Sequence, residues 1–266
     1  MVGIGYRSAV LFLLPPSEGK TPAASGPVLR HTKLSFPELN ATRRQVQQSL
    51  QELCRSHPTK ARRVLDLGPT QDVLISSNAE LDRARCAPAV EVYTGVLYDA
   101  LSASTLTQSA RKRLNAMTAI SSALFGLIRP DDLICAYRLS GTATLPDLGS
   151  LSRLWAPQVA AILDKQDGPI VDMRSQAYVN LGPIPQPAWE RAMTMRILVE
   201  ANGKRSVVSH HNKATKGRIV RLLASATALP KTVDGLLARL ERGGYACELH
   251  ESTKGPARLD VIVDHV

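Results

Sequence analysis

Aromatic residues are scarce in this 266-residue chain: two Trp, six Tyr and three Phe, or 4%. A surface that stacks a run of single-stranded bases needs successive rings, so this composition favours phosphate contact or capture of one base over extended stacking. Cysteine is sparse too. Cys54, Cys86, Cys135 and Cys247 lie far apart with no Cys-x-x-Cys pair, which excludes a zinc knuckle and a disulfide framework and points to free thiols in a reducing compartment. The six histidines are scattered except for His210-His211, and neighbours on a strand face opposite ways, so one metal could not use both. No metal and no cofactor are expected. Long apolar runs are also missing. The stretch Gly3–Pro15 is too short to span a membrane, and Leu14-Pro15-Pro16 is no small-residue cleavage site. The expectation is a cytoplasmic protein without membrane contact.

Positive charge is what the chain has in excess. Thirty-three Lys and Arg face 23 Asp and Glu, a net charge of +10, and arginine outnumbers lysine. That excess favours anionic partners: nucleic acid, nucleotides, phosphorylated metabolites or acidic surfaces. Hydrophobic content of 44% and charged content of 21% are ordinary for a soluble globular protein, and the length suffices for a full core. There is no repeat and no low-complexity tract.

Strand and helix patterns interleave along the whole chain, which predicts one mixed α/β (α+β) domain over 1–266 with a mixed central sheet and surrounding helices. Ala9–Leu14 reads as a buried strand stopped by Pro15-Pro16. Ser35-Phe36-Pro37-Glu38 has the form of a capping box opening a helix that carries Leu39, Val46, Leu50 and Leu53. Shorter helical patterns follow at Lys60–Leu67 and Ala79–Arg85, and Arg43-Arg44 and Arg62-Arg63 read as solvated faces. Further helices are expected at Val96–Leu101, Gln108–Asn115, Leu151–Lys165 and Thr232–Arg242, with strands at Ala116–Leu124, Ile170–Met173, Ala192–Val199 and Ser206–Ser209. Asn202-Gly203 is a hairpin signal, Gly182–Pro187 a rigid loop, and two strands around Cys247 and Val261 close the chain.

The segment Ser121–Gly141 is the centre of the reading. An apolar run stops at Arg129-Pro130-Asp131-Asp132, and a second short run delivers Tyr137 and Arg138 before Ser140-Gly141. Proline pushes the preceding residue towards extended backbone, which puts Arg129 at an element's end. Other apolar runs end likewise on polar residues: Lys20, Tyr93, Asp172 with Ser175 and Tyr178, and Lys213 with Lys216. Ligands of mixed sheets bind outside the carboxyl ends of strands. Converging, these ends would form a cationic pocket for a phosphate or a flipped nucleotide. Ser17-Glu18-Gly19-Lys20-Thr21 is not a Walker loop, because Leu14 replaces the first glycine and Pro15-Pro16 remove two N–H donors. Lys213 and Lys216 would precede or enter a helix N-terminus, with Arg218 and Arg221 sharing one face behind them. Either an anion or plain solvent suits that arrangement. Crowding by Arg129, Arg138 and Lys213 would lower the pKa of Lys20 and make it a nucleophile or base, with Asp172 as acid/base partner.

In this order, Pro16–Thr21, Val92–Gly95, Gly126–Asp132, Tyr137-Arg138-Leu139, Leu154-Trp155, Ser175 with Tyr178, and Lys213–Gly217 resemble the YaaA family of bacterial peroxide-stress proteins. The likeness runs from Leu11 to about Leu223. It implies a single-domain mixed α/β fold with a helix-hairpin-helix-like element and a positively charged cleft. It also implies cytoplasmic proteins that bind DNA and limit oxidative damage, partly by lowering free iron. The carried-over positions are Lys20, Tyr93, Arg129, Arg138, Ser175, Tyr178, Lys213 and Lys216, the last standing where some relatives have arginine. Met1–Ser8, an N-terminal extension, and the Gly182–Pro187 loop depart from the family pattern. No iron site is visible, so an effect on iron would be indirect.

The leading expectation is a monomeric protein of the peroxide response that holds DNA, or another phosphate-bearing ligand, through Lys213, Lys216, Arg218 and Arg221 beside Arg129 and Arg138. The alternative is an enzyme acting on a nucleotide, nucleoside or other anionic metabolite, for example at a glycosidic bond. It would use Lys20, Asp172, Tyr93, Ser175 and Tyr178, since a groove that only holds phosphates has little need of a particular Tyr, Ser and Asp. A soluble basic protein with a vestigial pocket is the third.

Overall fold

The apolar run at the start of the chain becomes the middle strand of the molecule. In the computed structural model, which describes residues 9–201, 204–207 and 209–263, β1 (Leu11–Leu14) is buried at every position, as a parallel strand covered on both faces must be. It ends where Pro15-Pro16 cannot continue a ladder. In chain order there follow α1 (Asn40–Ser56), α2 (Pro58–Val64), α3 (Val73–Ala79), β2 (Ala87–Pro88), α4 (Ala89–Val92), α5 (Val96–Leu101), α6 (Gln108–Met117), β3 (Thr118–Ser122) and β4 (Gly126–Ile128). Next come β5 (Leu133–Ile134), β6 (Thr144–Leu145), β7 (Gly149–Ser150), α7 (Leu151–Asp164), β8 (Ile170–Asp172) and α8 (Gln176–Val179). The last third holds β9 (Ala192–Ala201), β10 (Lys204–Ser206), α9 (Ser209–Ala224), α10 (Val233–Arg242), β11 (Ala246–His250) and β12 (Ala257–Val263).

Eight strands form one mixed sheet in the order β11-β12-β9-β8-β1-β3-β4, with β10 paired to β9 off that path. The run β12-β9-β8-β1-β3 is parallel throughout, and the pairs β3–β4, β11–β12 and β9–β10 are antiparallel. Helices surround this sheet to make a single compact domain. Two antiparallel ladders lie apart from it, β2 with β5 and β6 with β7. Where α5 and α9 cross, a Cβ at Gly217 would stand 2.2 Å from Leu97 O, so only glycine lets the backbones touch there.

Several expectations shift. Ser35 does not cap α1: Phe36 takes a left-handed φ of 57°, Pro37–Leu39 forms a short 3-10 turn, and the helix starts at Asn40. Ser35 Oγ donates instead to Asp132 Oδ1 at 2.8 Å. The helix expected at Ala79–Arg85 lies earlier, as α3, and Ala89–Val92 is a helical turn. The strand expected at Ser206–Ser209 stops at Ser206, and α9 begins at Ser209, so Lys213 and Lys216 sit inside a helix rather than at its mouth. The Asn202-Gly203 turn and the Met1–Ser8 extension lie outside the described residues.

Arg43 is the largest departure. It is fully buried, not solvated. Its Nε donates to Phe125 O at 2.9 Å, Nη2 to Leu127 O at 2.6 Å and Ser35 O at 2.8 Å, and Nη1 to Asn40 Oδ1 at 2.8 Å. One guanidinium thus ties α1 to the start of β4 on either side of Gly126. Burial pulls its pKa down to about 10, against the opposite pull of Asp132 and Glu38. Arg43→Met should lower unfolding free energy by roughly 2–4 kcal/mol in urea titration, because buried carbonyls lose their donor. Arg44→Met, on the exposed side of the same helix, should change it by less than about 0.5 kcal/mol.

Candidate functional site

The strands β8, β1 and β3 lie side by side and parallel, so the loops after them start from one edge of the sheet. The loop after β1 is fastened at each step. Pro15 O accepts from Tyr98 Oη at 2.8 Å, and Ser17 Oγ accepts the Thr94 N–H at 3.0 Å and donates to Gly19 O. Lys20 then meets Tyr93 in an isolated bridge. Its Nζ donates to Ser17 O at 2.8 Å and stands 4.4 Å from the Tyr137 ring centre and 5.4 Å from that of Tyr93. The hydroxyls of Tyr93 and Tyr137 are 3.0 Å apart, and Tyr137 Oη lies 2.8 Å from Ser122 Oγ at the end of β3. A continuous chain of three hydroxyls therefore links Tyr93, Tyr137 and Ser122, and the Lys20 amine packs against the two rings of that chain.

The main chain at Arg138 is held by Asn78, a buried residue of α3. Asn78 Nδ2 donates to Arg138 O at 2.7 Å and Oδ1 accepts the Arg138 N–H at 2.9 Å. The guanidinium donates from Nε to Leu65 O at 3.5 Å, and its Nη1 has a loose partner in Glu18 at 3.9 Å, whose side chain is 94% exposed. A cleft of about 610 Å³ opens over these groups. Lys20, Tyr137 and Arg138 line it from the loops after β1 and β5, and Leu74, Glu80 and Arg83 from α3 and the turn beyond.

Burial and the nearby Arg138 charge lower the Lys20 pKa to about 7, with Glu18 too weak an opponent to hold it up. Burial raises the phenols of Tyr93, Tyr98 and Tyr137, which keeps all three protonated at neutral pH. The site holds an amine that loses its proton near neutrality, packed against the rings of two protonated tyrosines, with Arg138, Arg83 and Arg85 in the cleft wall.

The other candidate residues divide into three groups. Tyr178 stands outside the residues that line the cleft: burial raises its phenol, with lesser effects from the Gly141 backbone, Glu18 and Arg138, and Gly141 packs so closely that an added Cβ would meet its ring at 3.2 Å. Asp172 forms a second cluster. Its oxygens accept from Arg174 Nε at 2.9 Å and Nη2 at 2.6 Å, and Arg174 reaches on to Ser121 Oγ, Tyr178 O and Gly182 O. Next to it Lys216 Nζ donates to Met173 O at 3.1 Å, and burial lowers its pKa to about 8 against the pull of Asp172. Ser175 is exposed at the start of α8, and Lys213 and Arg218 are exposed on α9. Arg129 and Arg221 face inwards. Arg129 Nη1 donates to Ala116 O and Thr118 O, each at 2.9 Å, under the Phe36 ring, and Arg221 Nη1 to Leu101 O and Ser102 O at the end of α5. Sequence reasoning missed Ser122, Asn78, Arg83 and Arg174 as members of these sites. Only Arg174, two residues after Asp172, carried a local signal.

Among the described residues no three His, Cys, Asp or Glu side chains gather as a metal site, and no helix is long and apolar enough to cross a membrane. Fold and cleft define a mixed α/β protein with a lysine of lowered pKa beside the carboxyl edge of its parallel strands. The profile of the family described as "Peroxide stress protein YaaA" matches residues 10–250, and the chain belongs to that family. It is 40% identical over 261 residues to a UPF0246 protein of Streptomyces coelicolor, covering 97% of this chain and 100% of that one. A UPF0246 protein of Corynebacterium efficiens is 40% identical over 258 residues, and one of Corynebacterium glutamicum 36% over 257, each covering 95% of this chain and 100% of the relative.

With ¹³C-labelled lysine, one resonance should titrate near pH 7 and vanish in Lys20→Arg, and Arg138→Ala should move its midpoint upwards by removing a positive neighbour. A Lys20 resonance titrating near pH 10 would refute this account of the site. Breaking the buried pair by Arg174→Met alone should cost about 3–5 kcal/mol in chemical denaturation, and Asp172→Leu with Arg174→Met together markedly less.

Proposed function

We propose that this member of the peroxide-stress family binds DNA on the face carrying Lys213 and Arg218 and takes one nucleotide-sized unit into the Lys20 cleft. Nucleic acid is then the molecule it guards in oxidative stress. The observation that carries the reading is the cleft itself: about 610 Å³, large enough for one nucleotide, with the amine of Lys20 and the fork of Arg138 in its wall. An extruded unit is how proteins reach a base inside a duplex. The net charge of +10 supplies the sequence-independent attraction, and the exposed α9 cations the phosphate contacts. A monomer in the cytoplasm suffices for this role.

A second reading is favoured by the Tyr93–Tyr137–Ser122 hydroxyl chain, which a binding groove does not need. In it the cleft holds a free nucleotide, nucleoside or other anionic metabolite and acts on it. Both Asp172 oxygens already accept from Arg174 and Asp172 is outside the cleft lining, so in this reading the proton carrier is the hydroxyl chain rather than Asp172.

Binding of duplex DNA and of duplex with one unpaired nucleotide, measured across a salt series, separates the two. The log–log salt slope should fall by roughly one in Lys213→Ala and again in Arg218→Ala. Arg138→Ala should weaken binding to the unpaired-nucleotide duplex more than to the perfect duplex. Salt-insensitive or undetectable DNA binding, together with turnover of a free nucleotide, would replace the first reading with the second.

A further inference from the structure

We propose that Lys20 Nζ is a nucleophile that forms an imine with the open-chain aldehyde of a deoxyribose phosphate, whether free or as the abasic site left in DNA by a lost base. The DNA source rests on the nucleic-acid reading above, and the reactivity of the amine does not.

The surroundings of Lys20 are not those of a structural lysine. A lysine placed for stability points into water or meets a carboxylate, but among the described residues no carboxylate lies within 4.0 Å of this one. Its Nζ donates to the carbonyls of Ser17 and Glu18 and otherwise faces the rings of Tyr137 and Tyr93. The nearest full charges are Arg138, which disfavours protonation, and the exposed Glu18, which favours it only weakly. Tyr93, Tyr137 and Tyr178 are held neutral, chiefly by burial. Desolvation and an adjacent cation are the two means by which a lysine becomes nucleophilic at neutral pH. Lys216 is the other lysine with a lowered pKa, but it lies among Met173, Asp172 and Lys213 and outside the lining of the cleft.

The chemistry follows from these groups. The Nζ lone pair attacks the carbonyl carbon, the carbonyl π pair moves to oxygen, and that oxygen gains a proton while the nitrogen gives up one of its two, leaving a neutral carbinolamine. The nitrogen then gives up its remaining proton while the oxygen, protonated a second time, departs as water. Amine and aldehyde yield imine and water, with no oxidant or reductant. The Tyr137 ring is the closer of the two aromatic faces to the amine, so its O–H is the proton donor assigned to the departing oxygen, and Ser122 and Tyr93 can replenish it through their 2.8 Å and 3.0 Å contacts. Arg138, loosely paired at 3.9 Å, can exchange Glu18 for a phosphate and hold it in a two-point contact.

Borohydride trapping on the whole protein tests this, with 2-deoxyribose 5-phosphate in one arm and a duplex holding a single abasic site in the other. Reduction should fix a mass equal to the sugar unit less one oxygen on the Lys20 peptide, with yield rising through about pH 7. Lys20→Arg, folded by circular dichroism, should lower the yield by about tenfold or more, since guanidinium is not a nucleophile at this pH. Trapping by the free sugar alone assigns a metabolite, and trapping by the duplex alone assigns the abasic site. No adduct in either arm, an equal adduct in Lys20→Arg, or an adduct mapped to Lys216 overturns the proposal. A mobility shift on the same duplex keeps the two claims apart. Binding without an adduct removes the imine and leaves the nucleic-acid reading, and an adduct with the free sugar but no binding does the reverse.

Discussion

One buried ion pair, Asp172 with Arg174, organises the carboxyl edge of the sheet beside the cleft. Both side chains are almost wholly excluded from solvent, at 3% and 0%. Charges so placed persist only where every donor and acceptor is met. Here Asp172 takes the Arg174 main-chain N–H as well as two guanidinium bonds, while the far side of Arg174 binds β3 through Ser121, α8 through Tyr178 O and the following loop through Gly182 O. The pair thereby fixes where β8 ends, how α8 leaves it and where Tyr178 stands relative to the cleft. It also leaves Met173 O free to accept from Lys216. Without it the carboxyl ends of β8 and β3 would have no shared anchor.

Two lysines beside this edge show how placement sets chemistry. Both lose solvent, but Lys216 has Asp172 to favour its charge, and Lys20 has Arg138 to oppose it. The difference is about 8 against about 7 in pKa. Only the second lies in a cleft. A cation over two aromatic faces is usually stabilised by them. At Lys20 burial and Arg138 outweigh that attraction, and the rings act as apolar walls with hydroxyls at their far edges.

What the sequence made legible was whatever a local signal carries. Leu11–Leu14 and Ile170–Asp172 are short apolar runs between prolines, glycines and polar residues, and both are strands. Thr232 and Gly243 bracket α10 as cap and stop. The juxtaposition of Lys20, Tyr93 and Arg138 was reachable only as an assumption that strand ends converge, and the structure does bring these three together. Long-range satisfaction was not legible. Ser35 had a helix-capping pattern, yet the carboxylate of Asp132 offered its hydroxyl and its N–H a buried acceptor, which won over a cap exposed to water. Nothing next to Arg43 in the chain predicts that carbonyls of Phe125 and Leu127 will surround it.

The same argument revises the meaning of the arginine excess. As composition it pointed outwards, to anionic partners. In the fold, Arg43, Arg113, Arg129, Arg191 and Arg221 all donate to main-chain carbonyls, several at the ends of helices or strands. A guanidinium offers five N–H donors in a fixed fork, so it can close off carbonyls that no ladder or helix satisfies, which a lysine does less well. Much of the arginine is therefore architecture. The formal charge still contributes to the long-range field, but few of these forks are free to grip a phosphate. In the proposed nucleic-acid role, direct contacts would then fall to exposed groups such as Lys213, Arg218 and Arg83, and discrimination of what enters to Lys20 and Arg138 in the cleft. A protein working in that way would draw a polyanion in with its whole charge and select with very few side chains.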